Sequence, residues 1–257
     1  MWRYLFLLRE FVRRDFDSRY AGSALGFVWS LVQPAWQLLL FYFVFATVMR
    51  IPLIGERTDN FAIFLFCGLL PWLAVHEGVL RSTTAITDNA NLVKKIHFPA
   101  EILVLTAVLG AVIHQLIASA LFVVALAVLG ELALEGLPWL ALALPMQIAL
   151  TTGLGLLTAT ANTFFRDVSQ LLGLILTGWF YVTPIVYPLS LPDPSLRPWL
   201  ELNPLTALVG LYRSAFLGGA PSSSPTGFWS LTILTALALP LGILFFRKLK
   251  PRFADEL

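Results

Sequence analysis

Charged residues are scarce in this sequence, and their scarcity excludes most classes of soluble protein. Asp, Glu, Lys and Arg make up 12% of the 257 residues, whereas hydrophobic residues make up 58%. Soluble domains usually contain about 25% charged residues. The formal net charge of +2 is too small to indicate binding to nucleic acid. Because the hydrophobic residues gather in long runs, we predict a membrane protein with several spans.

Cysteines and the common catalytic motifs are also missing. Cys67 is the one cysteine, so the chain cannot form an internal disulfide. Neither a G-x-x-x-x-G-K-[ST] phosphate loop nor an H-E-x-x-H zinc motif occurs. His97 and His114 are remote in sequence from other residues of metal-ligand type, which disfavours a metal site. We therefore expect that this chain is not an enzyme and holds no metal or cofactor of its own.

Six apolar segments have about the length of membrane-spanning helices. A helix needs about 20 residues to cross about 30 Å of hydrocarbon. Lipid offers no partners for unpaired backbone groups, which favours helices over irregular structure. We predict an all-α polytopic membrane protein with spans at about 27–49, 61–80, 102–129, 138–163, 169–187 and 228–246.

The distribution of basic residues predicts the orientation of these spans. If six helices cross the membrane, both termini lie on the same side, and that side carries thirteen of the 17 Lys and Arg residues. Basic residues accumulate in cytoplasmic loops, so we expect both termini in the cytoplasm. The basic N-terminal region is longer than that of a signal peptide, and no small-residue cleavage site follows its first apolar run, so we expect it to be retained.

Residues 1–26 form an N-terminal unit that precedes the transmembrane domain of residues 27–257. Its stretch "WRYLFLLREFVRR" (2–14) predicts an amphipathic helix that lies in the membrane interface. Apolar side chains can face lipid, while basic ones such as Arg13 and Arg14 face water and head groups. An ordinary anchor that only sets the topology remains the alternative.

A short amphipathic helix is predicted at about 89–98, in the first cytoplasmic loop. Leu92, Val93 and Ile96 lie on one side of it, and Pro99 ends it. A small amphipathic helix of this kind can sit in a groove of another protein. A basic loop that only obeys the positive-inside rule is the alternative.

The loop at 188–227, on the outer side, contains a second short helix. Asn203 can cap it, Pro204 suits its first turn and Gly218 suits its end. A helix of about 14 residues is about 21 Å long, too short to cross the membrane. Paired with 195–202, it is predicted to dip into the outer leaflet. An amphipathic helix that rests on the outer surface is the alternative.

Three spans carry polar or aromatic faces. Gln147, Thr151, Gly155, Thr158 and Asn162 follow one face of the fourth span, which favours close helix packing over a wet path. The first span presents Trp29, Gln33, Trp36 and Phe43, and the fifth presents Gln170, Thr177, Trp179 and Tyr181. Aromatic rings with polar edges suit sugars that slide past them. The same residues also suit an ordinary interfacial belt.

Four stretches together resemble a known transporter family. They are "RRDFDSRYAGSALGFVWSLVQP" (13–34), "LVKKIHFP" (92–99), "FFRDV" (164–168) and "LNPLTALVGLYRSAFLGG" (202–219). With the six spans, they resemble the permease of a type-2 ABC exporter, in the branch that exports O-antigen, capsule or teichoic acid polysaccharides. The resemblance covers essentially the whole chain.

The resemblance implies a homodimer in the bacterial inner membrane, with two copies of a separate ABC ATPase that binds ATP and Mg²⁺. It implies that the ATPase docks on Asn91, Leu92, Val93, Lys94, Lys95, Ile96 and His97. It assigns Arg13, Arg14 and Arg19 to contact with a polyprenyl-diphosphate-linked glycan. It places the path between protomers, lined by the aromatic faces of the first and fifth spans. Arg166 and Asp167 would lie at the inner mouth, and Asn203, Pro204, Tyr212 and Arg213 would belong to an outer gate formed at about 195–217.

Two other functions stay open at the level of the residues. One is an ABC permease for a small drug or lipid. The other is a secondary transporter, for which His114 with Gln115 is the deep ionisable candidate. The spans contain few such groups, so we expect the energy for transport to come from another subunit.

Overall fold

The computed structural model describes residues 2–19, 28–49, 53, 55–94, 98–220 and 224–257. This part of the chain is helical and contains no strand. Its α-helices are α1 (Trp2–Arg19), α2 (Trp29–Phe41), α3 (Phe61–Asp88), α4 (Ala90–Val93), α5 (Glu101–Leu129), α6 (Leu140–Phe164), α7 (Val168–Val182), α8 (Arg197–Leu202), α9 (Pro204–Leu217), α10 (Pro225–Leu249) and α11 (Phe253–Glu256). A π-helix (Tyr42–Met49) continues α2, and two 3₁₀ turns cover Leu134–Trp139 and Lys250–Arg252.

Four helical segments among the described residues are long and apolar enough to cross a membrane. They are Phe61–Asp88, Glu101–Leu129, Leu134–Phe164 and Pro225–Glu256. They correspond to the second, third, fourth and sixth predicted spans. The first and fifth predicted spans are shorter apolar helices, at Leu31–Val44 and Val168–Val182. The count of six spans therefore stays a prediction.

The fifth predicted span is shorter than expected for a local reason. We predicted helix up to residue 187, but α7 ends at Val182. Thr183 adopts an extended backbone (ψ 129°) because Pro184 follows it. In contrast, α3 extends eight residues beyond its predicted end at residue 80, up to Asp88. The buried Ser82 and Thr83 continue it, and the hydroxyl of Thr83 donates to Val79 O (2.8 Å).

Short polar side chains cap the N-termini of α3, α9 and α10. The side chain of Asn60 accepts a hydrogen bond from the N–H of Ala62 (3.0 Å) at the start of α3. Ser224 accepts one from Gly227 (3.2 Å) at the start of α10. Asn203 accepts one from Leu205 (3.1 Å), with Pro204 in the first turn of α9 and Gly218 at its end with φ 78°. The predicted boundaries of α9 are confirmed.

Helix α3 forms the centre of the bundle. It packs against α5, α6, α7 and α9. In its most apolar stretch, 78% of the residues are buried. In the other three long segments a smaller share of the most apolar stretch is buried, and in the segment that begins with α10 this share is only 17%. In lipid, an exposed apolar helix face needs no protein partner. The bundle is therefore organised around α3, with α5 and α10 towards its periphery.

Helices α6 and α10 approach each other closely through glycine. A Cβ added to Gly153 would lie 2.5 Å from the carbonyl carbon of Ala238, and one added to Gly242 would lie 2.6 Å from Gly153 O. Small residues allow this backbone contact, which drives helix association where the hydrophobic effect cannot. The polar face of the fourth span is buried at Gln147, Thr151, Gly155 and Asn162. The packing role predicted for that face is confirmed.

Candidate functional site

The predicted docking segment follows α3 after a single residue, and its helix is shorter than expected. The N–H groups of Leu92 and Lys94 donate to Asn89 O and Ala90 O (both 2.9 Å), and α4 ends at Val93. Asn91 and Lys94 are exposed, while Leu92 and Val93 are partly buried. Lys95, Ile96 and His97, which were predicted to belong to the same segment, lie outside the described residues. The described part is amphipathic, as predicted.

A small hydrophobic core lies beneath α4, and we call it the terminal cluster. Its buried residues are Ala85, Ile86, Ala100, Leu103, Val104, Leu156, Ala159, Phe246 and Phe253. The partly buried side chains that pack against it are Phe11, Val93, Phe98, Phe164, Ile243, Leu249 and Leu257. The cluster thus joins the N-terminal helix, the docking segment and the C-terminal end of the chain.

Helix α1 packs on α5 and is attached to the bundle at two further points. The ring centroid of Phe11 lies 5.8 Å from that of Phe98. The Nη2 atom of Arg81 on α3 donates to Asp15 Oδ1. Arg13 and Arg14, predicted to contact a lipid-linked substrate, are exposed. The side chain of Arg19 lies outside the described residues, and the role of all three arginines stays a prediction.

A chain of ionisable side chains continues from Asp15 into the bundle. Arg81 Nη1 lies 3.5 Å from Glu77 Oε1, and the other oxygen of Glu77 lies 3.8 Å from Nδ1 of His114 on α5. The second span was predicted to end at residue 80, which placed Arg81 in the loop and outside this chain. The i, i+4 spacing of Glu77 and Arg81 is the signal that could have revealed it. The chain connects α1, α3 and α5 through polar side chains.

The Asp15–Arg81 pair should contribute measurably to the docking of α1. We expect a double-mutant cycle of Asp15→Ala and Arg81→Ala to give a coupling energy of about 1–2 kcal/mol in the free energy of unfolding, because the pair is only partly shielded from solvent. Asp17→Ala is the matched control, since Asp17 is 72% exposed and lies 3.8 Å from Arg13 in an exposed pair. A coupling energy near zero for Asp15–Arg81 would contradict the expectation.

Two helices leave aromatic and polar faces uncovered, and they carry most of the predicted channel residues. On α2 and its continuation, Trp29, Trp36 and Phe43 are exposed. On α7, the exposed residues of the predicted set are Gln170, Thr177 and Tyr181. Both helices pack on α3 through their other sides. The exposed faces could therefore line a path or meet another protein chain.

Gln33 and Trp179 differ from the other predicted channel residues in their surroundings. Gln33 lines a cavity of about 320 Å³ between α2, α3 and α5, together with Gln37, Glu77, His114 and Gln115. The indole N–H of Trp179 donates to Asn203 Oδ1 (2.9 Å), and its ring packs against the main hydrophobic core. Trp179 thus already serves to hold α7 on α9. A channel-lining role for either residue stays a prediction.

Helix α9 lies inside the bundle. All its residues from Leu205 to Phe216 are buried, and α9 contacts α3, α6 and α10. A helix that rested on the outer surface would expose one face, so that alternative does not fit. Tyr212 OH donates to Gln147 Oε1 (2.5 Å), and Gln147 Nε2 donates to Gln115 Oε1 (2.6 Å). This buried polar network ties α9 to α6 and α5.

Arg213 fixes the other side of α9. Its guanidinium carbon lies 3.6 Å from the ring centroid of Phe64, and Nη2 donates to Pro184 O (2.8 Å) and Ile185 O (3.2 Å). Asn203 Nδ2 donates to Thr183 Oγ1 (2.9 Å), two residues earlier in the chain than Ile185. The predicted gate residues Asn203, Tyr212 and Arg213 therefore all make buried polar contacts. Pro204 begins the helix. Their action as a gate stays a prediction.

The predicted inner-mouth residues and the loop before α8 both lie at turns between helices. Arg166 and Asp167 are exposed in the turn between α6 and α7, where the N–H of Ser169 donates to Asn162 Oδ1 (3.2 Å). In the loop before α8, the N–H of Ser195 donates to Asp193 Oδ1 (2.9 Å), and this hydrogen bond lowers the pKa of Asp193. Asp193 is therefore charged at neutral pH, which suits a position outside the hydrocarbon region of the membrane.

Known proteins resemble the chain over nearly its whole length. A family model described as ABC-2 type transporter matches residues 7–217. The O-antigen export system permease protein RfbA of Myxococcus xanthus is 30% identical over 260 residues, which cover 100% of this chain and 97% of that protein. A Klebsiella pneumoniae protein of the same name is 31% identical over 99% of this chain and 96% of its own. The polysialic acid transport protein KpsM of Escherichia coli is 24% identical over 91% and 90%.

Proposed function

Because the chain belongs to the ABC-2 type transporter family, we propose that it is the permease subunit of an ABC exporter for a polysaccharide of the O-antigen type. The similarity to two O-antigen export permeases over at least 99% of this chain carries the proposal. The chain itself would not be an enzyme. ATP and Mg²⁺ would bind to a separate ATPase subunit, and the complex would reside in the bacterial inner membrane.

In this proposal two copies of the chain form the path for the substrate. The exposed faces of α2 and α7 would meet across the dimer, so that each protomer contributes aromatic rings such as Trp36, Phe43 and Tyr181. Rings offer flat apolar surfaces to sugars, and hydrogen-bonding edges allow weak contacts that release again. Six spans per protomer, with α2 and α7 as the first and fifth, would place both termini in the cytoplasm. Helices α8 and α9 would then form the re-entrant pair on the outer side.

The substrate would enter from the cytoplasmic leaflet as a polyprenyl-diphosphate-linked glycan. Arg13 and Arg14 are exposed on α1, where cations can attract a diphosphate at the membrane surface. Arg166 and Asp167 would lie at the inner mouth of the path. The buried contacts of Asn203, Tyr212 and Arg213 would hold α9 in place as part of the outer gate.

The ATPase would drive transport through α4. Asn91 and Lys94 are the exposed residues of the described docking segment, and Leu92 and Val93 lie on its partly buried side. Closure of the two ATPase copies around ATP would move the two α4 helices towards each other. The protomers would rock with them and open the path between them.

The composition of the complex tests this function directly. We expect the tagged chain, solubilised gently from native membranes, to co-purify with an ABC ATPase subunit at one to one. Lys94→Glu should reduce the bound ATPase by about tenfold or more, since about 1.4 kcal/mol of lost binding energy gives a factor of ten. Lys248→Glu is the matched control, because Lys248 is also an exposed lysine but belongs to α10.

Each outcome separates the candidates. A chain that purifies alone in several mild detergents would support a secondary transporter and contradict the ABC proposal. An equal loss of ATPase in both variants would contradict the assignment of α4 as the docking helix. If the intact complex exports a small drug or lipid but no polysaccharide, the proposed substrate is wrong and the small molecule takes its place.

A further inference from the structure

Helix α4 is too short to be rigid on its own. It has four residues, and none of these four is buried. Isolated helices shorter than about 12–15 residues are marginal in water, because too few hydrogen bonds compensate the ordering of the backbone. The side chain of Asn89 donates to Ala85 O (2.9 Å) and thereby fastens the preceding turn to α3. Something else must hold α4 if it is to transmit a force, as the proposed function requires.

The C-terminal end of the chain supplies that support. The segment Lys250–Leu257 contains a 3₁₀ turn and α11, and α11 contacts both α4 and α6. The ring of Phe253 is completely buried, 5.2 Å from Phe246 of α10 and 6.1 Å from Phe164 at the end of α6. Phe253 is thus the side chain of this segment that enters the terminal cluster most deeply.

The docking segment packs against the same cluster. Val93, the last residue of α4, and Phe98, which follows the undescribed residues 95–97, both contact it. Leu257 packs there as well. Through the terminal cluster, α4 therefore shares one set of packed side chains with α6 and α10. A displacement of α4 must either carry these helices with it or break the cluster.

An ion pair fixes the C-terminal segment from its other end. Lys250 Nζ lies 2.8 Å from Glu101 Oε2. Glu101 is the first residue of α5, so it marks the point where the loop that carries α4 re-enters the bundle. The segment is accordingly held at α5 by Lys250 and at α6 and α10 by Phe253. It spans the base of the docking loop.

We propose that Phe253 is a positioning residue for energy coupling, which holds α4 rigidly on α6 and α10 so that movement of the ATPase reaches the transmembrane path. The inference rests on the proposed function, since it assigns the ATPase to α4. Phe253 itself does not touch the ATPase or the substrate. It acts through Val93 and the other side chains of the terminal cluster.

A merely structural role for Phe253 predicts a different set of consequences. Any large buried side chain stabilises the fold, and its loss lowers the amount of folded protein. A positioning role predicts, in addition, that the folded complex still hydrolyses ATP but no longer converts hydrolysis into transport. The number of glycan chains exported per ATP hydrolysed separates the two roles, because it is measured on the assembled complex alone.

Phe122→Ala provides the matched control. Phe122 is also buried (1% exposed, against 0% for Phe253) and also has two ring partners, Phe66 at 5.1 Å and Phe216 at 5.3 Å. It belongs to the main hydrophobic core rather than to the terminal cluster. Loss of either ring should therefore destabilise the bundle to a similar extent, while only the loss of Phe253 should release α4.

The experiment uses the intact complex of this chain and its ATPase, reconstituted in vesicles. For Phe253→Ala we expect normal ATPase binding, continued hydrolysis and a fall of at least about tenfold in glycan exported per ATP, a factor equivalent to about 1.4 kcal/mol of lost coupling. Amide hydrogen exchange at residues 92–94 should accelerate in the same variant. Phe122→Ala should leave both quantities at the wild-type value. If Phe253→Ala does not accumulate in membranes, Phe253→Val is measured by the same criteria.

The inference is overturned if the folded Phe253 variant exports as much glycan per ATP as the wild type, or if Phe122→Ala lowers that ratio equally. A wild-type chain that binds no ATPase would instead overturn the proposed function, and this result is read before any variant is compared. Failure of the inference about Phe253 and failure of the proposed function can therefore be told apart.

Discussion

Replacing Trp36 and Tyr181 together by alanine should reduce polysaccharide export by about fivefold or more, while the complex with its ATPase stays intact. The two side chains are 63% and 65% exposed in the single chain. If the exposed faces of α2 and α7 line the path, each ring contributes about 0.5–1.5 kcal/mol of stacking to the passing glycan. Two lost contacts, about 1–3 kcal/mol together, would then change the rate by about fivefold to about a hundredfold. Export is measured as surface polysaccharide in cells that lack the native permease.

The matched control for this prediction is an aromatic residue of equal exposure elsewhere. Trp229 of α10 is 62% exposed, but α10 lies on the periphery of the bundle and has no assigned contact with the path. Trp229→Ala should therefore leave export unchanged. Equal export by the Trp36 and Tyr181 variant would contradict the proposed path and favour a small substrate, because a small drug or lipid needs no row of rings.

Gly153→Ala should prevent stable folding of the bundle. The added Cβ would lie 2.5–2.7 Å from three backbone atoms of Ala238 and Leu239. Backbone atoms in the middle of a helix cannot rotate away as a side chain can, so α6 and α10 must separate. Overpacking typically costs about 1–3 kcal/mol, and we expect a loss of at least about 3 kcal/mol here because no flexible atom can relieve the contact. The yield of monodisperse protein and its unfolding temperature measure the effect.

Gly173→Ala is the control for that substitution. Gly173 belongs to α7, and a Cβ added there meets no atom within 4 Å. Alanine also has the higher helix propensity, by about 1 kcal/mol, so this variant should fold at least as well as the wild type. If Gly153→Ala and Gly173→Ala gave the same unfolding temperature, the tight contact between α6 and α10 would be wrong.

The long apolar runs made most of the fold predictable. Where a run was uninterrupted, as in α5, the predicted start at residue 102 and the observed start at Glu101 differ by one residue. The prediction failed by several residues at two helix ends, those of α7 and α3. Pro184 ended α7 early, and α3 passed through Arg81 because a partner on α1 accommodates the charge. Pairing between distant segments is a tertiary effect that local pattern does not contain.

In the candidate site, features that depend on neighbouring residues in the chain were predictable, whereas contacts between different helices were not. Asn203 and Pro204 were identified from spacing alone, since capping depends on neighbouring residues. The contacts of Asn203 with Trp179 and Thr183 could not be foreseen, because they depend on how α7 and α9 meet. The same holds for Phe253, which no motif distinguishes. Its position under α4 follows only from the return of the chain end to the bundle.

The burial of α9 determines when this helix can fold during synthesis. Segments leave the ribosome in order, so Phe64, Pro184 and Ile185 emerge before Arg213, but they can enclose its side chain only once α9 is packed in the bundle. An arginine placed in lipid without such partners costs about 2.5–3.5 kcal/mol. Helix α10, which covers α9, emerges later. We expect α9 to remain at the translocon until α10 has been made, and the two to enter the bundle together, so that the last hydrophobic helix acts as the signal that completes insertion.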